Sequence, residues 1–127
     1  MKKSKPNFWW DNFIRTAGIQ EATGSGELQR FVIDFCKNHL HWEVWRNNTG
    51  KRGGVSYGKT GSGDVIGFTD KGKFVSIEVK FDKDKPSPKQ LEFREKVLLS
   101  TGWGVMVKTK VDFLEQVRDY INNQNKE

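Results

Sequence analysis

The stretch from Asp64 to Lys80, DVIGFTDKGKFVSIEVK, decides the fold of this chain. Apolar residues recur in both of its halves, and a short polar segment that ends in glycine separates them. Apolar runs bounded by turn residues predict strands. We therefore predict a β-hairpin whose strands cover residues 64–69 and 73–80.

The connection Asp70-Lys71-Gly72 fits a three-residue hairpin loop that ends in a glycine with a positive φ. This loop places Asp64 directly opposite Glu78. A two-residue turn at Lys71-Gly72 would instead place Asp64 opposite Val79 and separate the two carboxylates. Lysine is not favoured at the first position of such a turn, so we predict the three-residue loop.

The predicted register brings three charged side chains together. Residues 78 and 80 project to the same face of a strand, and Asp64 shares that face because it opposes Glu78. Two adjacent carboxylates repel each other, and a hard divalent cation such as Mg²⁺ or Mn²⁺ relieves the repulsion. Such an ion can acidify a water and neutralise a phosphate, while Lys80 orients the water or stabilises the phosphate charge. The alternative interpretation is a surface hairpin with ordinary charges.

Outside the hairpin, the sequence predicts three helices and two further strands. Apolar residues at helical spacing mark the first and third helices, and an N-cap serine followed by proline marks the second. The predicted helices cover residues 27–40, 88–101 and 111–122, and the predicted strands cover residues 42–46 and 103–108. The order is α-β-β-β-α-β-α. The predicted fold class is α/β, with a mixed β-sheet flanked by helices.

The length of 127 residues predicts one domain. We expect an N-terminal basic and aromatic arm at residues 1–25, the domain at residues 26–122 and a polar tail at residues 123–127. A single cysteine, Cys36, excludes a disulfide framework and suits a reducing compartment. No apolar run predicts a membrane span or a signal peptide, so we expect a cytoplasmic protein without a membrane partner.

The charge of the chain favours a polyanionic partner. Lys and Arg outnumber Asp and Glu by 22 to 16, which gives a net charge of +6. DNA is the simplest such partner, although a merely soluble basic protein carries the same signal. The long predicted loop at residues 47–63 contains six glycines. Contacts to DNA are expected from Arg46, Lys51, Arg52, Lys59, Lys83, Lys85 and Lys89.

Two short motifs match known ligand sites but lack the surroundings that those sites need. Residues 53–60, GGVSYGKT, match the P-loop pattern, yet no buried strand precedes them and no helix follows. We therefore predict no nucleotide binding. Cys36, His39 and His41 have a spacing typical of zinc ligands but lack a fourth ligand, so we predict a buried thiol and two surface histidines.

Three segments together resemble the VRR-NUC branch of the PD-(D/E)xK nucleases. They are GDVIG at residues 63–67, IEVK at residues 77–80 and PKQ at residues 88–90. The resemblance runs from about Glu27 to Lys108 and implies a restriction-endonuclease-like fold. One departure is Gly63, which stands where the superfamily name has proline.

The resemblance also implies roles for individual residues. It implies Asp64 and Glu78 as metal ligands, with the Val79 carbonyl as a further oxygen. The other implied site residues are the catalytic lysine Lys80, the helix residue Gln90 and the first-helix acid Glu27. Two of them have alternative interpretations, because Gln90 can form a capping box with Ser87, and an acid in a first helical turn is favoured by the helix dipole.

The functional prediction is a metal-dependent DNA endonuclease. Stand-alone members of this family are similar to Holliday junction resolvases, often from phages or mobile elements, so the resemblance implies branched DNA as substrate. If the protein is an enzyme of another kind, the alternative is a restriction-like or repair nuclease that acts on duplex or flap DNA. If it is not an enzyme, the alternative is a non-catalytic DNA-binding module. We also predict a homodimer, since a four-way junction needs two matched cuts.

Overall fold

The computed structural model describes residues 19–48, 50–52, 55–58 and 61–124. Most of the predicted N-terminal arm, Lys59 and much of the P-loop-like string lie outside the described residues. For residues 50–52 and 55–57 only the backbone is described. None of the helices in the described part of the chain is long and apolar enough to cross a bilayer.

The observed architecture is α/β, with a four-stranded mixed sheet flanked by helices, as predicted. The helices are α1 (Ser25–His39), α2 (Pro88–Leu99) and α3 (Lys110–Gln124). The strands are β1 (Glu43–Arg46), β2 (Gly50–Arg52), β3 (Val55–Tyr57), β4 (Val65–Phe68), β5 (Phe74–Val79) and β6 (Trp103–Val107). The main sheet has the order β1-β4-β5-β6, in which β4 and β5 are antiparallel and β5 and β6 are parallel.

The segment at residues 47–63 differs from its prediction as a loop. It contains β2 and β3, which pair antiparallel as a separate two-stranded sheet. The prediction of a loop was wrong here because each strand has only three residues, which is too short for the alternation over four to eight residues that marks a strand.

The hairpin register agrees with the prediction. Phe68 pairs with Phe74 and Val65 with Ile77, and Gly72 has a φ of 78°. The Thr69 N–H donates to the Lys73 carbonyl over 2.8 Å, which closes the three-residue loop. The same register, continued by one residue, places Asp64 opposite Glu78.

The hydrophobic core lies on one face of the sheet, beneath α1 and α3. Ile77 at the centre of β5 is fully buried there, together with Val32 from α1 and Phe113 from α3. The rings of Phe35 and Phe113 pack edge to face with centroids 5.7 Å apart. Cys36 is buried in the same core, as predicted, and burial raises the pKa of its thiol to about 12.

Helix α2 covers part of the opposite face. Its Val97 packs on Gly104 of β6, where an added Cβ would lie 3.2 Å from the Val97 side chain. The helix ends at Leu99, earlier than predicted, and Thr101 takes the positive-φ position with a φ of 63°. Gly102 instead passes close to β5, since an added Cβ would lie 2.8 Å from the Phe74 carbonyl oxygen.

Two structural features lie beyond the helix ends that the sequence predicts. Helix α3 continues to Gln124, and residues before α1 pack against its first turn. The Glu21 carboxylate accepts hydrogen bonds from the backbone N–H groups of Lys110, at 2.7 Å, and Val111, at 3.2 Å. Glu21 therefore caps a helix that begins 89 residues later in the chain.

Removal of this cap should destabilise the fold. We expect Glu21→Ala to lower the free energy of unfolding by about 1–2 kcal/mol, because two N–H groups at the start of α3 lose their acceptor. Chemical denaturation measures the change. Glu115→Ala, which removes an exposed carboxylate from α3 itself, is the matched control and should change stability by less than about 0.5 kcal/mol. Equal stability of both variants would show that the Glu21 cap contributes nothing.

Candidate active site

The predicted carboxylate pair lies at one end of the main sheet. Asp64 directly precedes β4, and its Oδ2 accepts a hydrogen bond from the Val79 N–H over 2.8 Å. Glu78 lies near the end of β5 and is only 5% exposed. Since residues paired across an antiparallel ladder share a face, the two carboxylates project from the same side of the sheet.

Gly63 explains how Asp64 reaches this position. A Cβ at residue 63 would lie 2.6 Å from the Ser76 Oγ and 2.7 Å from the Ile77 nitrogen, so the chain approaches β5 too closely for a side chain. The Gly63 N–H also donates to the Ser76 Oγ over 3.0 Å. Proline at this position would lack that N–H and would collide with β5. The departure from proline at residue 63 therefore has a local structural cause.

The Glu78 carboxylate is only partly satisfied. Its Oε2 accepts a hydrogen bond from the Gln90 Nε2 over 2.7 Å, whereas its buried Oε1 has no hydrogen-bond partner. Burial, and then the negative charge of Asp64, raise the pKa of Glu78 to about 8, while Lys80 opposes the shift. The metal-free site thus holds a carboxyl group that favours its neutral form at pH 7.

Gln90 forms the capping box that its sequence position allows and also contacts Glu78. Its Oε1 accepts from the Ser87 N–H over 2.8 Å, and its backbone N–H donates to the Ser87 Oγ over 3.2 Å, which completes a capping box. Its Nε2 remains available and donates to Glu78. One side chain therefore ties the start of α2 to the carboxylate pair.

Lys80 lies beside Glu78, with 4.0 Å between its Nζ and the Glu78 Oε2. The lysine side chain is 16% exposed, and its backbone N–H donates to the Val107 carbonyl over 2.9 Å. The parallel ladder between β5 and β6 thus fixes the Lys80 backbone. The long Nζ–Oε2 distance leaves the ammonium able to donate elsewhere.

Glu27 is not brought to the carboxylate pair. Its Oε2 accepts from the N–H and the Oγ1 of Thr23, at 3.0 and 3.1 Å, and its Oε1 lies 3.6 Å from the Lys110 Nζ. The hydrogen bonds from Thr23 hold the pKa of Glu27 below its usual value. Within residues 19–124, where described, no group of three or more His, Cys, Asp or Glu residues could hold a metal ion. The helix-start interpretation of Glu27 matches these contacts better than the metal-ligand one.

Several of the residues predicted to contact DNA border this end of the sheet. Arg46 is exposed and pairs with Val65, next to Asp64. Lys89 lies in the first turn of α2, one residue before Gln90, and its backbone carbonyl approaches Gly61. The structure also describes four other residues that were predicted to contact DNA. They are the exposed loop residues Lys83 and Lys85 and the β2 residues Lys51 and Arg52.

The sequence prediction missed the polar residues that hold the backbone just before Asp64 in place. The Asn47 Nδ2 donates to the Gly63 carbonyl over 2.9 Å and to the Ser62 Oγ over 2.7 Å. Ser76 holds the Gly63 N–H. A polar residue such as Ser76 in the middle of an otherwise apolar strand was the available signal, because a buried hydroxyl needs a partner.

Comparisons with known proteins agree with this arrangement at the level of the fold. A solved structure described as a VRR_NUC domain superposes on the chain with a TM-score of 0.54 and 24% sequence identity. The superposition covers 78% of this chain and 98% of that one. The chain has the fold of a VRR_NUC domain. The predicted resemblance is therefore confirmed for the architecture.

Comparisons of sequence alone find nothing further. No family model matches the chain, and no curated protein matches it. The likeness to a VRR_NUC domain is thus detected by the superposition of the structures. In the sequence, only the three short segments around Asp64, Glu78 and Gln90 indicate it.

The unsatisfied Glu78 carboxylate predicts a stability change that can be measured without metal. In a chelator-containing buffer, Glu78→Gln should raise the free energy of unfolding at pH 9 by about 1–3 kcal/mol, because it removes a buried charge with an unpaired oxygen. The folded-state pKa of about 8 exceeds the ordinary value of 4.5. Wild-type stability should therefore fall as the pH rises from about 4.5 to about 8.

Chemical denaturation at pH 5 and pH 9 tests this expectation. The advantage of Glu78→Gln should be small at pH 5 and larger at pH 9. Glu95→Gln changes an exposed carboxylate on α2 and serves as the control. A Glu78→Gln variant that is less stable than wild type at pH 9 would contradict the expectation.

Proposed function

We propose that this chain is a metal-dependent DNA endonuclease that hydrolyses phosphodiester bonds. The observation that carries the proposal is the buried Glu78 Oε1, which has no hydrogen-bond partner and shares a sheet face with Asp64. A buried, unpaired carboxylate oxygen beside a second carboxylate is costly unless something positive binds there. The VRR_NUC fold supports the same conclusion.

The donor set suits Mg²⁺ or Mn²⁺, which prefer oxygen ligands. Asp64 and Glu78 would hold the ion, and the Val79 backbone carbonyl would add a third oxygen. When bound, such an ion supplies positive charge to a phosphate and acidifies water. The unpaired Glu78 Oε1 is the observation that supports the fit.

The residues around the pair orient it. The Val79 N–H fixes one oxygen of Asp64, and Gln90 fixes one oxygen of Glu78, so each carboxylate retains an oxygen that these two hydrogen bonds do not use. Lys80 has its ammonium on the same side of the sheet. It would orient the attacking water or stabilise the charge that develops on the phosphate.

DNA is the proposed polyanion, and branched DNA, with Holliday junction resolution, is the proposed substrate class. The net charge of +6 and the basic residues that border the site support DNA. Substrate comparison distinguishes this proposal from a restriction-like or repair nuclease on duplex or flap DNA. Binding without cleavage of any of these substrates would identify a non-catalytic DNA-binding module.

Cleavage of a labelled four-way junction, beside duplex and flap DNA, tests the proposed activity in Mg²⁺ or Mn²⁺. Asp64→Ala and Glu78→Ala should abolish cleavage and leave DNA binding intact. Lys80→Ala should lower the rate about 10²–10³-fold with little change in affinity, because its proposed role lies in the transition state.

The control for these variants is Lys37→Ala, which removes an exposed lysine from α1 on the opposite face of the sheet. It should cleave at the wild-type rate. Calorimetry provides a second test, independent of cleavage. Undiminished Mn²⁺ binding by an Asp64→Ala/Glu78→Ala double variant would remove these residues from the metal site.

We also propose that the active species is a homodimer, because two matched cuts require two sites and each chain carries one. The aromatic residues predicted to contribute, Trp9, Trp10 and Phe13, lie outside the described residues. Light scattering at micromolar concentration should give twice the chain mass of 14.7 kDa. A monomer would count against junction resolution. Deletion of residues 1–18, which spares the Glu21 cap, tests whether the arm forms the interface.

A further inference from the structure

An exposed apolar strip lies on the sheet face that carries Asp64 and Glu78. Its members, which we call the aromatic strip, are Trp45, Ile66, Phe68 and Phe74. Trp45 and Phe68 are each 47% exposed and Phe74 is 41% exposed. Among the aromatic side chains that the structure describes, these three are the most exposed.

The hairpin register places the strip in line with the candidate site. Ile66 and Phe68 follow Asp64 along the chain by two and four residues, so all three project from the same face, with spacings of about 7 and 13 Å. Trp45 lies opposite Ile66, and Phe74 lies opposite Phe68. A chain that reaches Asp64 along β4 therefore passes over the strip.

The strip is exposed because α2 covers only part of this face. The helix packs against β5 and β6, and Val97 lies on Gly104 of β6. Phe93 of α2 meets the ring of Phe74 edge to face, with centroids 6.3 Å apart, and so bounds the strip on one side. The part of the face formed by β1 and β4 holds Trp45 and Phe68, whose rings stay about half exposed.

We propose that the aromatic strip binds unpaired bases of the DNA strand that enters or leaves the candidate site. This inference rests on the proposed nuclease function and specifies its substrate. Every base offers a flat face that stacks on an exposed aromatic ring, whereas phosphates gain nothing from such rings. The net charge of +6 selects a polyanion as the partner.

A negative charge beside the strip favours bases over phosphates at the end of the strip that is furthest from Asp64. Glu43 is exposed and pairs with Phe68, so a carboxylate lies next to the ring that is furthest from Asp64 along β4. A phosphate group there would be repelled, but a stacked base carries no charge. The strip therefore suits the bases of an unpaired strand better than the outer surface of a duplex.

The size of the strip argues against a second copy of the chain as its occupant. Aromatic side chains present about 150–250 Å² each. Three of them, each less than half exposed, give the strip an exposed aromatic area on the order of 300 Å². Each partner of a stable dimer buries about 800 Å². The strip alone is too small for that interface, but it is large enough for stacked bases.

The inference predicts a preference for DNA with unpaired nucleotides next to the scissile phosphate, as in flaps, splayed arms and opened branch points. A continuous duplex keeps its bases stacked on one another and cannot offer them to Trp45 and Phe68. Affinity for single-stranded oligonucleotides should follow from the same contacts, without any cleavage.

Binding is measured by fluorescence anisotropy in the Glu78→Gln background, with labelled oligo-dT, a flap substrate and a blunt duplex as probes. Adding Trp45→Ala or Phe68→Ala should weaken oligo-dT and flap binding by about tenfold and leave duplex binding unchanged. Trp45→Phe keeps a ring and should recover most of the affinity. Leu99→Ala, at an apolar side chain of α2 that is 78% exposed, is the control and should bind like its parent.

Three outcomes would overturn the inference. They are unchanged oligo-dT binding by Trp45→Ala, an equal loss on duplex and flap, and conversion of a dimer to a monomer by Trp45→Ala, which would make the strip an interface between copies.

Failure of the proposed nuclease function is distinguishable from these outcomes. If the wild-type chain cuts no DNA but Trp45-dependent binding of oligo-dT persists, the strip is supported and the nuclease is not. If wild type cuts DNA and Trp45→Ala cuts flap and duplex at wild-type rates, the nuclease stands and the strip fails.

Discussion

The antiparallel register between β4 and β5 is the constraint on which the rest of the structure depends. A three-residue loop closed by Gly72 sets that register, and a shift by one residue would send Asp64 and Glu78 to opposite faces. At the open end of the hairpin, the Asp64 carboxylate takes the place of a backbone acceptor for the Val79 N–H. The position of the candidate site thus follows from one turn and one close approach at Gly63.

The candidate site buries a carboxyl group at a cost to the fold. A buried carboxylate with an unpaired oxygen opposes folding, and the structure compensates only partly through Gln90 and Lys80. Carboxyl groups that are perturbed in this way cluster at functional sites. The well-packed core on the other face of the sheet, with Ile77 at its centre, provides the stability that tolerates this cost.

Local chemistry made much of this architecture predictable from the sequence. Turn residues determined the hairpin register, and Ser87 with Pro88 determined the start of α2, because each signal acts within a few residues. Contacts between distant segments escaped prediction. No local pattern shows that Glu21 caps α3, and β2 and β3, at three residues each, are too short to give the alternation that marks a strand. Gln90 forms its capping box and also bonds to Glu78, since its two amide atoms bond different partners.

The parallel pairing of β5 with β6 has a consequence for the order of folding. The β4–β5 hairpin closes a short loop and forms rapidly, whereas β6 can join only after α2 has crossed over the sheet. Asp64 and Glu78 therefore meet early, while both are still hydrated. Glu78 loses its water only when α2 and β6 dock. The electrostatic penalty of the site thus arises late, when α2 and β6 dock. A cost that arises after the folding transition state appears mainly as faster unfolding.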